Sequence, residues 1–600
     1  MMMHRFMKLG VLLLCGLLSV AAFAQNANSG INGTVEDSTG AVVPGATVNL
    51  TNVGTGQTLS TTSKGNGFYT FTNLSPANYK VAVTAQGFAQ WDGVLTLRVS
   101  ETADVSPKLT AASVSTQVSV HDVTPVINRV DATISDVKNA TTIETIPVAN
   151  RSILNVLAFS PGVVANNYGG SGGGYTRVNG VPGGSLDYLV DGQTMSNRFT
   201  NELQANPQPV PTFQEVKIIT GNGDAQYGRP GLVELVTKSG TNNFHGQLFE
   251  LNQNNYLKAR SAFSGPTINY LMRNEYGGQV GGPVWLPKLY NGKNKTFFFV
   301  DLEGIRQNAN ASVFYTMVPT TFRTGDLSAL VDKNGFPIKV YDPHSTSVAG
   351  PPFTRTQISY NGAPNVIPPN RLNSISQKIF NTYLPQPNIS NVSYWAGTPN
   401  YRPASASSNF HNKLYTGKVD QLFGPNRLAM RYTYTSSDSL TPQSTYYVLE
   451  PAVNLSGGHN GAIVFTQVIG THAVNVLRGG VQYNHNYTGP LPISPPPTVA
   501  LGLPQYNESS VWPSFYWQGA NDAYWSGIDR GNPKDYPDQT VTGSDQFSYN
   551  RGNHQMMFGF EVSNYRLTTS ETGQPGGGYN YSGNFSALQD PAKVAKGSFS

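Results

Sequence analysis

Apolar and polar residues alternate over long segments in the second half of the chain. In residues 428–435, the even-numbered positions are Leu, Met, Tyr and Tyr, and the odd-numbered positions are Ala, Arg, Thr and Thr. Residues 556–563 follow the same rule, with Met, Phe, Phe and Val on one face and Met, Gly, Glu and Ser on the other. Alternation over about ten residues is typical of strands that turn an apolar face outwards and a polar face inwards in a membrane barrel. We therefore predict a long antiparallel sheet after residue 245, in which a turn at 423–426 follows the strand Lys413–Leu422.

The first part of the chain alternates over shorter distances. Its strand-like segments span residues 31–35, 46–50, 68–71 and 79–84. Gly, Asn, Asp, Ser and Pro gather in the turns between them. Strands of this length at short, regular spacing indicate a β-sandwich, which we place at residues 25–112.

Two long polar stretches interrupt the strands of the second half, at about 307–408 and 487–538, and both are rich in Pro, Asn, Ser and Tyr. In a membrane barrel they would be extracellular loops, with short turns at the opposite end. Trp512, Trp517 and Trp525 fall in the second stretch. They are candidates for stacking on a sugar or another flat ligand, although loop packing or an interfacial aromatic girdle is the more ordinary role.

Residues 1–24 have the character of a secretory signal peptide. Arg5 and Lys8 precede a short apolar run, and Ala22-Phe23-Ala24 supplies a small-x-small cleavage pattern, so we predict cleavage between Ala24 and Gln25. Cys15 is the only cysteine and follows Leu14, which does not fit a lipoprotein signal. We expect the mature chain to contain no cysteine and hence no disulfide.

Charge and motif content argue against several classes of function. Removing Arg5 and Lys8 from the 39 basic residues leaves 37 against 34 acidic ones, a nearly neutral balance without a basic stripe for nucleic acid. No apolar run of about 18 residues follows the signal peptide, whereas a closed barrel could still span a membrane because it pairs all its backbone groups. The glycine run 169–173 matches the sequence of a nucleophile elbow, but it lies in a glycine-rich loop and not between a strand and a helix. Asp187 and Asp191 could contribute to a Ca²⁺ site only with further oxygen ligands nearby, which the sequence does not supply. We expect the chain to have no enzymatic activity, no cofactor and no metal site.

The sandwich segment resembles the carboxypeptidase regulatory-like domain. The matching pieces are Gly33–Val35, Val43–Ala46, Gly67–Phe71, Leu74–Pro76 and Tyr79–Val81. The resemblance implies no peptidase activity. It leaves two roles open, a spacer or a glycan contact.

Residues 136–245 contain a longer ordered series of motifs. The series consists of Thr145–Ser152, Ser160–Val163, Val178–Gly180, Leu189–Gly192, Phe213–Ile218, Ala225–Arg229 and Val236–Gly246, with a predicted short helix at Leu154–Phe159. It resembles the plug domain of TonB-dependent receptors, in the Oar-like group that carries an N-terminal sandwich. The residues that carry the signature are Asn150, Arg151, Pro161, Gly162, Asn179, Gly180, Asp191, Gly192, Tyr227, Gly228, Arg229, Lys238, Ser239, Gly240 and Thr241. Val148–Arg151 departs from the group, which more often has an Asn-Gly-Arg turn there.

The resemblance implies a mainly β chain with a β-sandwich, a connector at 113–135, a small α+β plug and an antiparallel transmembrane barrel at 246–600. We count roughly eight to ten strands after residue 245. Plugged transporters use about 22 strands, so we expect an incomplete barrel and a truncated chain.

The function that the resemblance implies is energised import across the outer membrane. Thr116, Gln117, Val118, Ser119 and Val120 are the candidate contact strand for a periplasmic TonB-type complex, or else the last strand of the sandwich. The ligand stays open among siderophores, oligosaccharides, cobalamin and peptides. A glycan-binding receptor or adhesin that transports nothing is the alternative.

Overall fold

The computed structural model describes most of the chain from the sandwich onwards. The described residues are 29–112, 122–123, 133–146, 151, 153–164, 176–181, 186–196, 210–221, 228–260, 268–310, 314–347, 354–390, 393–395, 397–403, 407–441, 452–470, 472–490, 494, 496–503, 511–518, 524–528, 533–551, 554–573 and 576–581. The predicted cleavage site Ala24–Gln25, the candidate contact strand Thr116–Val120, and the plug residues Asn150 and Tyr227 lie outside these ranges.

Two facing sheets form the N-terminal sandwich. Its strands are β1 (Ser29–Thr34), β2 (Glu36–Asp37), β3 (Thr47–Asn52), β4 (Thr58–Thr62), β5 (Phe68–Leu74), β6 (Ala77–Thr84), β7 (Trp91–Leu97), β8 (Thr102–Asp104), β9 (Lys108–Leu109) and β10 (Asp122–Val123). One sheet has the order β5-β1-β8 and the other the order β10-β7-β6-β3-β4. Alternate side chains such as Ile31, Val48 and Val81 are fully buried between the sheets, as the period-two pattern predicts.

The plug contains one mixed sheet and two short helices. Its elements are β11 (Ile134–Asn139), α1 (Ala140–Thr145), α2 (Ile153–Leu157), β12 (Val163–Val164), β13 (Arg177–Val178), β14 (Leu186–Val190), β15 (Gln193–Thr194), β16 (Phe213–Gly221) and β17 (Gly231–Thr237). The sheet order is β11-β16-β17-β14-β15, and the helices cover one face around Ile143 and Val156. Helix α2 ends two residues earlier than we predict, because Phe159 and Ser160 donate to the carbonyls of Val156 and Leu157 in a tighter turn.

Long antiparallel strands form the wall that follows. In the described ranges the strands are β18 (His245–Asn254), β19 (Leu271–Pro283), β20 (Trp285–Leu286), β21 (Tyr290–Asn291), β22 (Thr296–Asn310), β23 (Ser359–Tyr360), β24 (Ala363–Pro364), β25 (Ser407–Phe423), β26 (Asn426–Thr441), β27 (Ala452–Ile469), β28 (Ala473–Gly489), β29 (Ser514–Gln518), β30 (Tyr524–Ile528), β31 (Lys534–Arg551), β32 (His554–Leu567), β33 (Ser570–Glu571) and β34 (Gly578–Tyr581). The wall has the order β18-β19-β22-β25-β26-β27-β28-β31-β32. Short connections such as Gly424-Pro425 lie at one end, and the long segments 311–406 and 490–533 lie at the other, which confirms the predicted loop arrangement.

The two faces of the wall differ as the sequence pattern predicts. In β26, Arg431 and Thr433 are at most 5% exposed on the plug side, whereas Tyr432 is 52% exposed on the outer side. Aromatic rings form a row across four neighbouring strands on the outer side. The row runs from Tyr415 to Tyr434, His459 and Tyr483, with ring centroids 5.9, 5.2 and 6.4 Å apart. Such a row is typical of the interfacial girdle of membrane barrels. Among the described residues, the helices are all too short or too polar to cross a membrane.

The long connections pack into a small unit of their own. It contains α3 (Thr320–Arg323), α4 (Ser374–Lys378), a π-helix (Ile379–Tyr383), α5 (Pro497–Leu501) and the sheet β30-β29-β34. Trp512 is 6% exposed, with its ring 4.7 Å from that of Tyr383. Trp517 lies 5.2 Å from the Phe380 ring and Trp525 lies 5.9 Å from the Phe322 ring. All three tryptophans therefore contribute to loop packing.

Candidate functional site

The centre of the candidate site is Asp191, at the turn that follows β14. The residue has a positive φ of 49°, which places its carboxylate beside the end of β17. Thr237 donates to Oδ2 from its hydroxyl (2.6 Å) and to Oδ1 from its backbone N–H (3.1 Å). Hydrogen bonds within the plug alone therefore fix the direction of this carboxylate.

Two cations of the wall meet the same carboxylate. Lys418 Nζ of β25 lies 3.2 Å from Oδ1, and Arg431 Nε of β26 lies 2.9 Å from Oδ2. The side chains of Lys418 and Arg431 are 5% and 2% exposed, so the pairs are shielded from water. Arg431 also donates to Asn460 Oδ1 at 2.6 Å, which anchors it to the next strand of the wall. One plug carboxylate thus links three adjacent strands.

The electrostatics keep this carboxylate charged. Burial alone would raise the pKa of Asp191, but Lys418, Arg431 and the hydrogen bonds from Thr237 outweigh burial and hold the pKa below its ordinary value. Because water is excluded, the attraction between these charges is stronger than at a surface. Removing one partner of such a pair would leave the other charge buried without compensation, which typically costs about 3–5 kcal/mol.

A second attachment lies where the plug runs into the first strand of the wall. Ser239 donates to Asp420, and Asp420 in turn pairs with Arg427 at 2.6 Å. Gly240 passes so close to the wall that a Cβ would lie 2.4 Å from the Phe298 carbonyl oxygen. Only glycine fits that approach without a backbone shift. Lys238, one residue before Ser239, binds Glu144 of α1 at 3.0 Å.

A third attachment is made by Arg151. Its Nε lies 3.0 Å from Glu275 of β19, and its guanidinium lies 5.6 Å from the centre of the Phe249 ring. Thr212 adds a hydrogen bond to Asp301 of β22. The plug is therefore attached to the wall at β19, β22, β25 and β26.

The other signature residues of the described part act mainly within the plug. Arg229 pairs with Asp187 at 3.2 Å and donates to the Leu186 carbonyl at 3.0 Å. Asn179 donates to the Thr220 carbonyl at 2.7 Å, and a Cβ on Gly162 would lie 2.2 Å from the Asn179 amide oxygen. Pro161, Gly180 and Gly228 lie in turns or bends, Gly192 follows Asp191 in its turn, and Thr241 donates to the Asn243 carbonyl. Most of these residues shape the plug, whereas Gly192 and Thr241 lie where the plug meets the wall, and a Cβ on Gly192 would lie 3.2 Å from Arg478 Nε of β28.

Sequence reasoning missed a charged stripe on the other face of the plug sheet. Glu215 and Lys217 of β16 and Glu234 of β17 are 4%, 4% and 7% exposed, and the sandwich covers them. The signal in the sequence was the presence of two charged residues in a strand that is otherwise largely apolar. Within the described ranges, no group of three His, Cys, Asp or Glu residues could hold a metal ion.

Comparison with known families agrees with this architecture. The family model for the outer membrane beta barrel domain matches residues 236–599, which is more than half of the chain. The model for the TonB-dependent receptor plug domain matches residues 128–232, and that for the carboxypeptidase regulatory-like domain matches residues 30–110. The chain belongs to the TonB-dependent outer-membrane receptors. This family consists of transporters, and its barrel places the chain in the outer membrane.

The individual relatives and solved structures described next share less than 30% sequence identity with this chain. The TonB-dependent transporter Oar of Myxococcus xanthus is 29% identical over 306 residues, which cover 47% of this chain and 28% of that protein. The chain thus spans under a third of the length of this relative. Among solved structures, the outer membrane transporter YddB of Escherichia coli has a TM-score of 0.43 at 11% identity, covering 72% of this chain and 48% of the other. The ferric enterobactin receptor PfeA of Pseudomonas aeruginosa has a TM-score of 0.40 at 12% identity, covering 72% and 49%.

Proposed function

We propose that the chain imports a ligand across the outer membrane by TonB-dependent active transport. The observation that supports this most strongly is the shielded attachment of the plug to the wall through Asp191, Lys418 and Arg431. A plug held this way closes the lumen, and opening it requires work against buried charge pairs. The outer membrane has no ATP supply, so that work must arrive by mechanical coupling from the inner membrane.

The proposed coupling segment is the connector before the plug. Residues 116–120 would pair as an added strand with a TonB-type partner in the periplasm. A pull on this segment reaches first β10, which pairs with β7 of the sandwich, and then β11, which lies at one edge of the plug sheet, next to β16. The ligand would meet the packed loops and the outer side of the plug, and its class stays open among siderophores, oligosaccharides, cobalamin and peptides. We further propose that residues 1–24 direct export and that the chain catalyses no reaction.

A proline substitution tests the coupling segment without changing its length. Proline removes a backbone N–H donor and disfavours strand pairing, whereas alanine at the same position keeps the donor. Cells that carry Val118→Pro should lose energy-dependent accumulation of a radiolabelled compound from a panel of iron-loaded siderophores, cobalamin, oligosaccharides and peptides. Val118→Ala should retain it, and both variants should reach the outer membrane in equal amounts.

The same panel separates transport from simple surface binding. The binding measurement is repeated after addition of an uncoupler of the proton-motive force. If the unaltered chain binds a compound at the cell surface, accumulates none, and binds the same amount with the uncoupler, the chain is a receptor or adhesin. If Val118→Pro accumulates the compound normally, the coupling segment lies elsewhere.

A further inference from the structure

The sandwich is docked on the rest of the molecule rather than tethered beside it. Three tips at one end of the sandwich make the contact, and we name them tip A (residues 53–57), tip B (73–76) and tip C (98–101). In tip A, the Gly54 carbonyl accepts the Asn242 N–H at 2.9 Å, at the junction of plug and wall. Gln57 Nε2 donates to the carbonyls of Gly424 and Pro425, at 3.3 and 3.1 Å, in the short turn between β25 and β26.

Tip B spans the wall and the plug. Asn73 Nδ2 donates to Ser548 Oγ of β31 at 3.3 Å, and Arg427 of β26 donates to Ser75 Oγ. The Pro76 carbonyl accepts from Gln214 Nε2 of the plug at 3.4 Å. Through tips A and B, the sandwich therefore reaches two sides of the mouth formed by the short turns.

Tip C covers the charged stripe of the plug. Glu215 Oε2 accepts the Val99 N–H at 2.7 Å, and Glu234 Oε2 accepts from Ser100 Oγ at 2.6 Å. Lys217 Nζ donates to the Ser100 carbonyl at 2.6 Å. Val99 is 3% exposed, so the contact excludes water.

Backbone strain in the sandwich is concentrated at these contacts. Within residues 29–112, the two non-glycine residues with positive φ are Asn73 at 58° and Ser100 at 51°. Both lie in docking tips, and both bind another part of the chain. Left-handed backbone at such residues persists where surrounding contacts hold it, so the tips are shaped for this interface.

The docked sandwich couples the plug to the wall mechanically. It binds the plug through Glu215, Lys217 and Glu234, and it binds the wall through Gly424 and Ser548. The plug cannot move relative to the wall unless one of these two sets of contacts breaks. A cavity of about 440 Å³ lies between sandwich, plug and wall, so the sandwich bridges the mouth without filling it.

We propose that the sandwich is a periplasmic latch, which must release its three tips before the plug can open a path through the barrel. This inference rests on the proposed transport function. Docked, the sandwich covers the face of the plug opposite the loops and holds it against the wall. Released, it exposes the stripe of Glu215, Lys217 and Glu234 and leaves the plug attached through Asp191, Ser239 and Arg151.

A disulfide between tip A and the plug–wall junction would hold the latch closed. A Cβ built on Gly54 lies 3.8 Å from Thr241 Cβ, which matches the usual Cβ separation in disulfides. The φ of Gly54 is not in the positive region, so cysteine is tolerated there, and Thr241→Cys removes the methyl group that would crowd it. The test is the double variant Gly54→Cys with Thr241→Cys in the full chain, in cells, with each single variant as its control.

The expected result has two parts. The double variant should oxidise to a cross-linked form in cells, and that form should lose accumulation of whichever labelled panel compound the unaltered chain takes up. Reduction should restore accumulation, and the single variants should accumulate normally. Surface binding of the compound should persist in all of them.

The contrary results separate the latch from transport itself. If the cross-link fails to form, the docked arrangement is wrong; if it forms and accumulation continues, the sandwich is no latch and transport stands. If the unaltered chain accumulates nothing, the transport proposal fails and the latch proposal fails with it.

A maleimide probe on Val99→Cys gives a readout that needs no ligand: labelling should be faster in energised than in uncoupled cells. Leu97→Cys, buried inside the sandwich, should stay unlabelled in both, and equal rates at Val99→Cys would overturn release.

Discussion

The substitution Glu215→Gln should reduce the pH dependence of sandwich docking to the part that Glu234 contributes. Burial raises the pKa of Glu215 to about 7 from its ordinary 4.5, with Glu101 and Glu234 adding to the rise and the Val99 N–H and Arg98 opposing it. Lys217 also lies on this stripe and donates to tip C. Glutamine keeps an oxygen that can accept the Val99 N–H but carries no charge at any pH. The substitution therefore isolates the cost of burying the carboxylate.

The direction of the pH dependence follows from the proton balance. Between pH 4.5 and about 7 the docked state holds a proton on Glu215 that the undocked state has lost, so docking weakens as the pH rises through this interval. Below pH 4.5 the contribution is fully present, and above about 7 it is fully lost. A pKa difference of this size corresponds to at most roughly 3 kcal/mol, or a change of up to about 300-fold in the docking equilibrium, because the value of 4.5 applies to a fully exposed carboxyl.

Thiol labelling of Val99→Cys in purified protein measures this equilibrium. The labelling rate, divided by that of the unfolded chain at the same pH, should rise steeply between pH 5 and pH 8. In Glu215→Gln the ratio should rise much less with pH than in the parent, and the rise that remains should come from Glu234, whose pKa burial also raises. Glu36→Gln is a matched control, because Glu36 follows the end of β1 that lies away from the tips, where Thr34 pairs with Phe68. A flat profile in the parent, or the same slope in Glu215→Gln, would refute the assignment of the charge.

Three further substitutions test the other contacts. Asp191→Asn leaves Lys418 and Arg431 buried beside a neutral amide, so attachment of the plug should weaken by about 3–5 kcal/mol, seen as a lower urea midpoint for plug release and as leak conductance in planar bilayers. Gly240→Ala places a methyl group against wall backbone and should reduce the heat-modifiable fraction in the outer membrane, whereas the same change at solvent-open Gly65 should not. Arg323→Met removes four hydrogen bonds to backbone carbonyls, two of them buried, and should destabilise the loop unit by about 2–4 kcal/mol, seen as faster protease cleavage on intact cells.

Periodicity predicted the strands well because it reflects a local rule. Apolar and polar faces alternate along each strand whatever its partner is, so β26 and β32 could be identified from eight residues each. The same alternation placed Arg431 on the inner face. It could not supply the acid that Arg431 meets, because that acid lies some 240 residues away and depends on the register of several strands. In the sequence, Asp191 stands out only as part of the plug signature, which indicates its place in the fold and omits its ionic role.

The docking of the sandwich is a relation between surfaces, and a single sequence does not encode such a relation in a periodic form. Glu215 and Lys217 showed only that one strand carries unexpected charge. Tips B and C look like ordinary Asn and Ser turns in the sequence, because nothing local distinguishes a turn in water from one that binds a plug. The tryptophans illustrate the converse: loop packing was the more ordinary of the roles expected for Trp512, and the structure buries its ring against Tyr383.

The two sets of plug contacts meet on one strand, so the opening of one set should affect the other. Glu234, which holds tip C, and Thr237, which holds the carboxylate of Asp191, both belong to β17, and the Asp191 N–H donates to the Leu235 carbonyl between them at 2.9 Å. Burial raises the pKa of Glu234, with nearby Asp191 adding to the rise, so covering this stripe favours a neutral Glu234. Release of tip C would remove part of the burial that raises the pKa of Glu234, and a charged Glu234 would repel the nearby carboxylate of Asp191. Release of the sandwich would therefore weaken the Asp191 attachment from within, whereas loss of the Asp191 attachment alone would leave the plug clamped by the tips.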